Sequence, residues 1–177
     1  MIFYTRKGDR GKSKVGNKKI AKDNIILDTL GELDELNSLL GLVKNKVKEF
    51  KNELHKIQEN LFIVQAQLAW FLYPNFEKPL ISDDKIKNLE KSIDRIEKII
   101  KPERKFIIPG KEEKSAWLHY LRAVCRRVER KIISLNRKYK LPPNTLSYIN
   151  RLSSYFYALA RYIVYKKNLK EDHPTYK

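Results

Sequence analysis

Three observations predict an all-α fold, a bundle of five helices with a basic, glycine-containing loop at its N-terminal end. Apolar residues recur at alternating steps of three and four through five stretches of the chain. That spacing is one face of a helix in left-handed bundle packing. Prolines stand at the breaks after the second, third and fourth stretches, where they end helices. No period-two strand pattern competes, and there is no internal repeat or low-complexity region. With 177 residues and 42% hydrophobic content, one domain with a sizeable core is expected.

Residues 1–22 form a non-periodic segment containing Gly8, Gly11 and Gly16, with the hydroxyls of Thr5 and Ser13 among basic side chains. This is the composition of a phosphate-cradling loop, and equally that of a disordered basic arm. It is not a Walker A loop, because the Gly-Lys-Ser/Thr ending is missing. The bundle is expected over 23–168. Its first helix is capped by Asp23 or Asn24 and carries the seam Leu33, Leu36, Leu40, Val43 and Val47. The second carries Leu54, Ile57, Leu61, Val64, Leu68 and Phe71 and breaks before Pro74. Ser82, followed by two aspartates, starts the third, with Ile86, Leu89, Ile93, Ile96 and Ile100, which stops at Pro102. Gly110 is placed as the cap of the fourth, which should run to about Tyr139. Asn144 is placed as the cap of the fifth, with Ile149, Leu152, Phe156, Leu159 and Ile163 on its seam. A polar tail over 169–177 is expected to be loose.

Charge is lopsided, with 38 Lys and Arg against 21 Asp and Glu, a net +17. Such a balance points to polyanionic partners or to simple solubility. The single cysteine, Cys125, lies on an apolar seam and reads as a small core residue in a reducing compartment. Three dispersed histidines argue against a zinc site. With no signal-peptide pattern and no run long enough to span a bilayer, a soluble cytoplasmic protein is expected.

The fourth helix holds the residues with the most chemistry. Arg122, Arg126 and Glu129 stand in a row beside its seam of Leu118, Leu121, Cys125, Val128, Ile132 and Leu135, with Arg130 just outside. Arg127 and Lys131 fall on the far side, where a solubilising charge belongs. Arginines at a core boundary need anionic partners. Those partners are either carboxylates of another helix, for which Asp34 beside the first seam is a candidate, or a ligand phosphate. Asn150 lies at the edge of the fifth seam. Phe106, in the Pro-Gly connection, is either a core plug or a ligand contact.

Several pieces stand in order along the chain: Tyr4 to Gly11 (YTRKGDRG), Lys22-Asp23, Gly31 to Ser38 (GELDELNS), Phe106 to Gly110 (FIIPG), Arg122 to Arg130 (RAVCRRVER), Tyr148 to Ser153 (YINRLS) and Ala160 to Tyr162 (ARY). Together they resemble the PduO-type ATP:corrinoid adenosyltransferases. The chain departs from that pattern at Lys111, where a second glycine is usual, and at Lys19, where arginine is common. No C-terminal segment matches the one that often places an aromatic residue over the corrinoid, for which Tyr176 is the candidate.

The resemblance implies transfer of the 5′-deoxyadenosyl group of ATP to the cobalt of cob(I)alamin, giving adenosylcobalamin and triphosphate. It implies a homotrimer with sites between subunits, and ATP with Mg²⁺ carried on its phosphates. Thr5, Arg6, Lys7, Gly8, Asp9, Gly11, Ser13 and Lys22 would cradle the triphosphate. Arg126, Glu129, Arg130 and Asn150 would face the nucleotide from a neighbour, Arg122 would pair with Asp34, and Phe106 would close the lower face of the corrin ring. A reductase and a cobalamin-dependent acceptor enzyme are the further partners implied, with no membrane and no nucleic acid. Two readings stand beside this one: a basic bundle binding nucleic acid through its charge, and an oligomerisation bundle whose arginines form interface ion pairs.

Overall fold

The computed structural model describes residues 3, 4, 6, 8–103 and 105–176. Five helices appear, α1 Ile25–Lys46, α2 Lys51–Leu72, α3 Asp83–Ile100, α4 Glu113–Asn136 and α5 Pro143–Lys166. The seams of α1, α2, α4 and α5 are buried nearly throughout, and Cys125 is fully buried among them. The second seam differs in one place, where Leu72 is buried and Phe71 stays half-buried against Tyr139. On α3 only Leu89 and Ile96 are buried, so this helix covers the outside of α5.

α1 runs antiparallel to α4, as Asp28 with Lys131, Glu32 with Arg127 and Lys46 with Glu113 show. A short 3-10 turn, Lys48–Phe50, leaves α2 little choice but to return along α1. α4 lies between α1 and α5. Buried polar side chains tie α2 to α5. Asn60 donates to the Tyr148 hydroxyl at 3.0 Å, and the Thr145 hydroxyl donates to Gln67 at 2.6 Å. Both amides are satisfied, since Asn60 also accepts from Lys85 and Gln67 donates to the Pro79 carbonyl.

Asn24 caps α1, accepting from the Ile26 amide at 2.9 Å. Two other expected caps are corrected. Glu112, not Gly110, caps α4, its carboxylate accepting the Ser115 amide at 2.8 Å. Gly110 turns the chain two residues earlier, at φ +118°. Asn144 lies inside α5, behind Pro143 in the first turn, and its amide ties α5 to the start of α3 at the Ile81 carbonyl and Asp83. α4 stops at Asn136, short of Tyr139, where the Asn136 side chain takes the Leu141 amide.

The expectation of no strand is also corrected. Lys12–Val15 (β1) and Lys18–Ala21 (β2) form an antiparallel hairpin around Gly16-Asn17. Gly16 takes φ +56° at the first turn position, as primed two-residue hairpins require. A Cβ there would lie 2.2 Å from the Tyr73 ring, so the turn sits directly on the end of α2. The hairpin leans on the bundle through Val15 and Ile20.

The tail, expected loose, is fixed at its root. Asn168 takes a left-handed φ of 53° after α5, with its amide bonded to the Tyr165 carbonyl and the Leu169 amide to that of Val164. This is a Schellman reversal with Asn in the place Gly usually holds. Among the described residues no helix is long and apolar enough to cross a membrane.

Candidate active site

α4 and α5 frame a cleft of about 320 Å³. His119, Arg122 and Arg126 line it from α4, at steps of three and four that keep them on one face. Ser153, Ser154 and Tyr157 line it from α5, and Phe106, Ile107 and Pro109 form its lip. Phe106 is 79% exposed, which removes the core-plug reading. The Arg122 guanidinium lies 5.7 Å from the centre of the Tyr157 ring, and its Nε is buried without a partner. His119 is buried with its ring edge toward Tyr157, and its Nδ1 also lacks a partner. Burial, reinforced by the Arg122 charge, pushes the His119 pKa down to about 4, so the ring is neutral at pH 7. Arg126 is exposed, and no carboxylate among the described residues pairs with it.

A second hollow, of about 310 Å³, continues along the same side of α4 past Glu129 and Ile133. Asn150 donates to Glu129 at 2.7 Å and accepts from Arg151 at 2.8 Å, while Arg151 also holds Glu90. These bonds engage one carboxylate oxygen of Glu129 and both polar ends of the Asn150 amide at the rim. Arg130 stands exposed nearby on the helix.

Gly8 and Gly11 gather around Lys22. The Lys22 amide donates to the Gly11 carbonyl at 2.9 Å, and the Gly11 amide to that of Gly8 at 3.2 Å. A Cβ on Gly8 would lie 3.3 Å from the Lys22 ammonium, a tight approach that the lysine tip would have to relieve by shifting. Ser13 is half-buried on β1, Asp9 is exposed, and Arg6 lies over the Tyr4 ring. Thr5 and Lys7 lie outside the described residues. The hairpin sits where α1 begins and α4 ends, whereas the cleft lies toward the start of α4. At 1.5 Å per residue, about 20 Å of α4 separates Arg122 from the helix end. None of the described loop residues lines the arginine cleft of the same chain.

The family profile described as cobalamin adenosyltransferase matches residues 3–163. The chain belongs to this family. A corrinoid adenosyltransferase of Citrobacter freundii is 38% identical over 168 residues, covering 90% of this chain and 93% of that protein. A corrinoid adenosyltransferase PduO of the same organism is 36% identical over 171 residues, with 91% of this chain aligned to about half (49%) of that longer protein. Among solved structures, a variant PduO-type ATP:corrinoid adenosyltransferase from Lactobacillus reuteri, complexed with cobalamin and ATP, superposes with a TM-score of 0.91. It is 31% identical, and the match covers 98% of this chain and 97% of that one. The nucleic-acid alternative, which rested on net charge, draws no support from these relatives.

In this family member the expected pair of Arg122 with Asp34 is not made within the chain. Asp34 is exposed on α1, while Arg122 turns into the cleft. The α1–α4 contact is instead made by Arg127, bonded to Glu32 at 2.6 Å and to Glu35, and by Lys131, bonded to Asp28 at 2.6 Å. The helical pattern of α4 alone places those two residues toward solvent, because one helix read by itself shows a single buried face. α4 packs between two helices, so its second flank also meets a neighbour. Sequence reasoning gave no role to His119 or Tyr157. The signal was present in the spacing, since His119 precedes Arg122 by three and Tyr157 follows Ser153 by four.

Proposed function

We propose that this chain transfers the 5′-deoxyadenosyl group of ATP to the cobalt of a reduced corrinoid, releasing triphosphate. The observation that carries the reading is the convergence of Phe106, Arg122 and Arg126 on one cleft in a member of the cobalamin adenosyltransferase family. In the reaction the Co(I) electron pair forms the cobalt–carbon bond as the C5′–O5′ bond breaks, and the triphosphate leaves with that bonding pair. The cobalt is the nucleophile, so the protein needs no Ser, Cys or His in that role. Its task is to place the two substrates and stabilise charge growing on the leaving oxygens. Exposed Arg126, which no carboxylate among the described residues pairs, is suited to that work, with Arg130 beside it. The exposed ring of Phe106 is suited to lie against the corrin, excluding water and a lower axial ligand, which eases reduction of Co(II).

The site is completed, in this proposal, between subunits of a homotrimer. One chain contributes the triphosphate cradle of Thr5, Arg6, Lys7, Gly8, Asp9, Gly11, Ser13 and Lys22. Its neighbour contributes Arg126, Glu129, Arg130 and Asn150. The separation of loop and cleft within one chain supports this arrangement. So does Asp34, which stands exposed on α1. Among the described residues no three His, Cys, Asp or Glu side chains converge on a metal position. Mg²⁺ accompanying ATP would be carried on the triphosphate, where it would offset that charge. A reducing cytoplasm, a reductase and a cobalamin-dependent acceptor belong to the same proposal.

The test is to mix the protein with ATP, Mg²⁺ and chemically reduced cobalamin and follow the spectrum to adenosylcobalamin. Folded protein that gives no turnover with clean cob(I)alamin would refute the assignment.

A further inference from the structure

The connection that presents Phe106 has almost no structure of its own. Across the described residues from 102 to 111, a single backbone hydrogen bond is made, from the Ile108 amide to the Asp172 carbonyl at 2.8 Å. Its partner is the C-terminal tail. The same short stretch of tail makes two more contacts there. His173 Nδ1 lies 2.7 Å from the carbonyl of Phe106 itself, and the Lys111 ammonium meets the Asp172 carboxylate at 3.1 Å. The tail is anchored in turn by Arg161 of α5. That arginine is 8% exposed, and its guanidinium grips Glu171 through Nε at 2.8 Å and through Nη2. Upstream, the Schellman reversal at Asn168 aims the chain back toward the connection. Arg161 belongs to the ARY motif, for which the adenosyl transfer just described has no use.

We propose that Arg161, Glu171 and His173 are positioning residues for Phe106, acting as a strap that holds the corrinoid-facing connection and leaves ATP binding untouched. The inference rests on the corrinoid role given to Phe106 above. The geometry supplies the reason. An aromatic ring on an otherwise unbonded loop has many positions, and ordering it in advance removes that entropy from the binding step. The Arg161–Glu171 pair is the fixed end of the strap, because a largely buried guanidinium holds its carboxylate in a two-point fork. The His173 ring is the free end. It donates its Nδ1–H to the Phe106 carbonyl in the tautomer with the proton on that nitrogen.

The experiment compares Glu171→Ala and His173→Ala in the full-length chain, each with Phe106 intact and with Phe106→Ala. Glu171→Gln serves as the conservative variant. His173 bonds only at the surface, so its variant keeps the fold even if loss of Glu171 strains the buried arginine. Two readouts are taken: hydrogen exchange at the Ile108 amide, and separate kinetic constants for ATP and for cob(I)alamin. With Phe106 intact, Ile108 protection should fall roughly tenfold or more, and kcat/KM for the corrinoid about tenfold. KM for ATP should move less than about twofold, and Glu171→Gln should recover part of the loss. In the Phe106→Ala background the strap variants should add less than about twofold, since their effect runs through that ring. Unchanged Ile108 protection overturns the proposal. So does a corrinoid loss that persists in full without Phe106, or an equal loss toward ATP. Wild-type protein that makes no adenosylcobalamin sinks the proposed function instead, and the Ile108 exchange then still decides whether the strap holds the connection.

Discussion

Replacing Phe106 with alanine should cost little stability and much activity, and the two effects can be sized separately. Truncating a fully buried phenylalanine costs about 3–5 kcal/mol. Phe106 is 79% exposed, so about a fifth of that applies, or less than about 1 kcal/mol. For a chain of this length the melting temperature should then drop by no more than about 3 °C. The remaining four-fifths of the ring is free to be covered by a ligand. Burying a whole phenylalanine side chain contributes about 1.5–3 kcal/mol, so the ring can offer a corrin face roughly 1.2–2.4 kcal/mol, a factor of about ten to fifty. That contribution matters most when the protein must also exclude the lower ligand from Co(II). The assay compares turnover from cob(II)alamin with a reductase against turnover from clean cob(I)alamin. The expected result is a larger loss in the first, with an almost unchanged melting curve. Equal losses in both assays, accompanied by a fall of many degrees in melting temperature, would show that Phe106 supports the fold and not the corrinoid.

Arg126→Ala should lower kcat roughly a hundredfold, about 3 kcal/mol, with stability changed by less than about 0.5 kcal/mol because no described carboxylate depends on it; near-normal kcat removes Arg126 from the mechanism. Arg127→Ala should do the reverse, loosening the α1–α4 contact by about 1 kcal/mol or less, as befits a half-exposed pair, read as a lower denaturation midpoint. His119 has a folded pKa of about 4 against an ordinary 6.5, so the unfolded chain binds the extra proton between those values. Stability should therefore fall as pH drops from about 6.5 to about 4, by roughly 2–3 kcal/mol from this residue. His119→Gln should flatten that slope in urea melts, and parallel profiles would contradict it. Finally, Gly8→Asp and Arg126→Ala chains, each inactive, should regain about a quarter of wild-type activity when unfolded and reassembled together, since random mixing pairs an intact loop with an intact helix at one interface in four. No recovery, with mixed trimers confirmed by mass, would place the site within one subunit.

The helices were legible because each seam is a local pattern, and burial of Leu33, Leu61, Val128 or Phe156 follows from it directly. The strands were not. β1 and β2 carry one apolar residue each on the covered face, too few for a period-two signal, and the hairpin depends on Gly16 meeting the Tyr73 ring from a distant helix end. Two expected caps failed because the helices begin at other residues, α4 behind Glu112 and α5 behind Pro142. Gly110 and Asn144 looked suitable in sequence, but the Glu112 carboxylate reached the free amide of Ser115, and Asn144 was claimed by α3.

By itself, then, the sequence determined five helices, their buried faces, and the ordered motifs that mark the family, because helix periodicity and motif spacing are properties of neighbouring residues. Only the tertiary structure decided which arginine pairs with α1, that Phe106 stands in solvent, and that His119 is held neutral. It also decided that the tail from Asn168 turns back to hold the connection. Each of these depends on which second element lies beside a residue. A burial pattern fixes which face of a helix turns inward but not what meets its flanks, and charges and aromatic rings take their roles from those flanks.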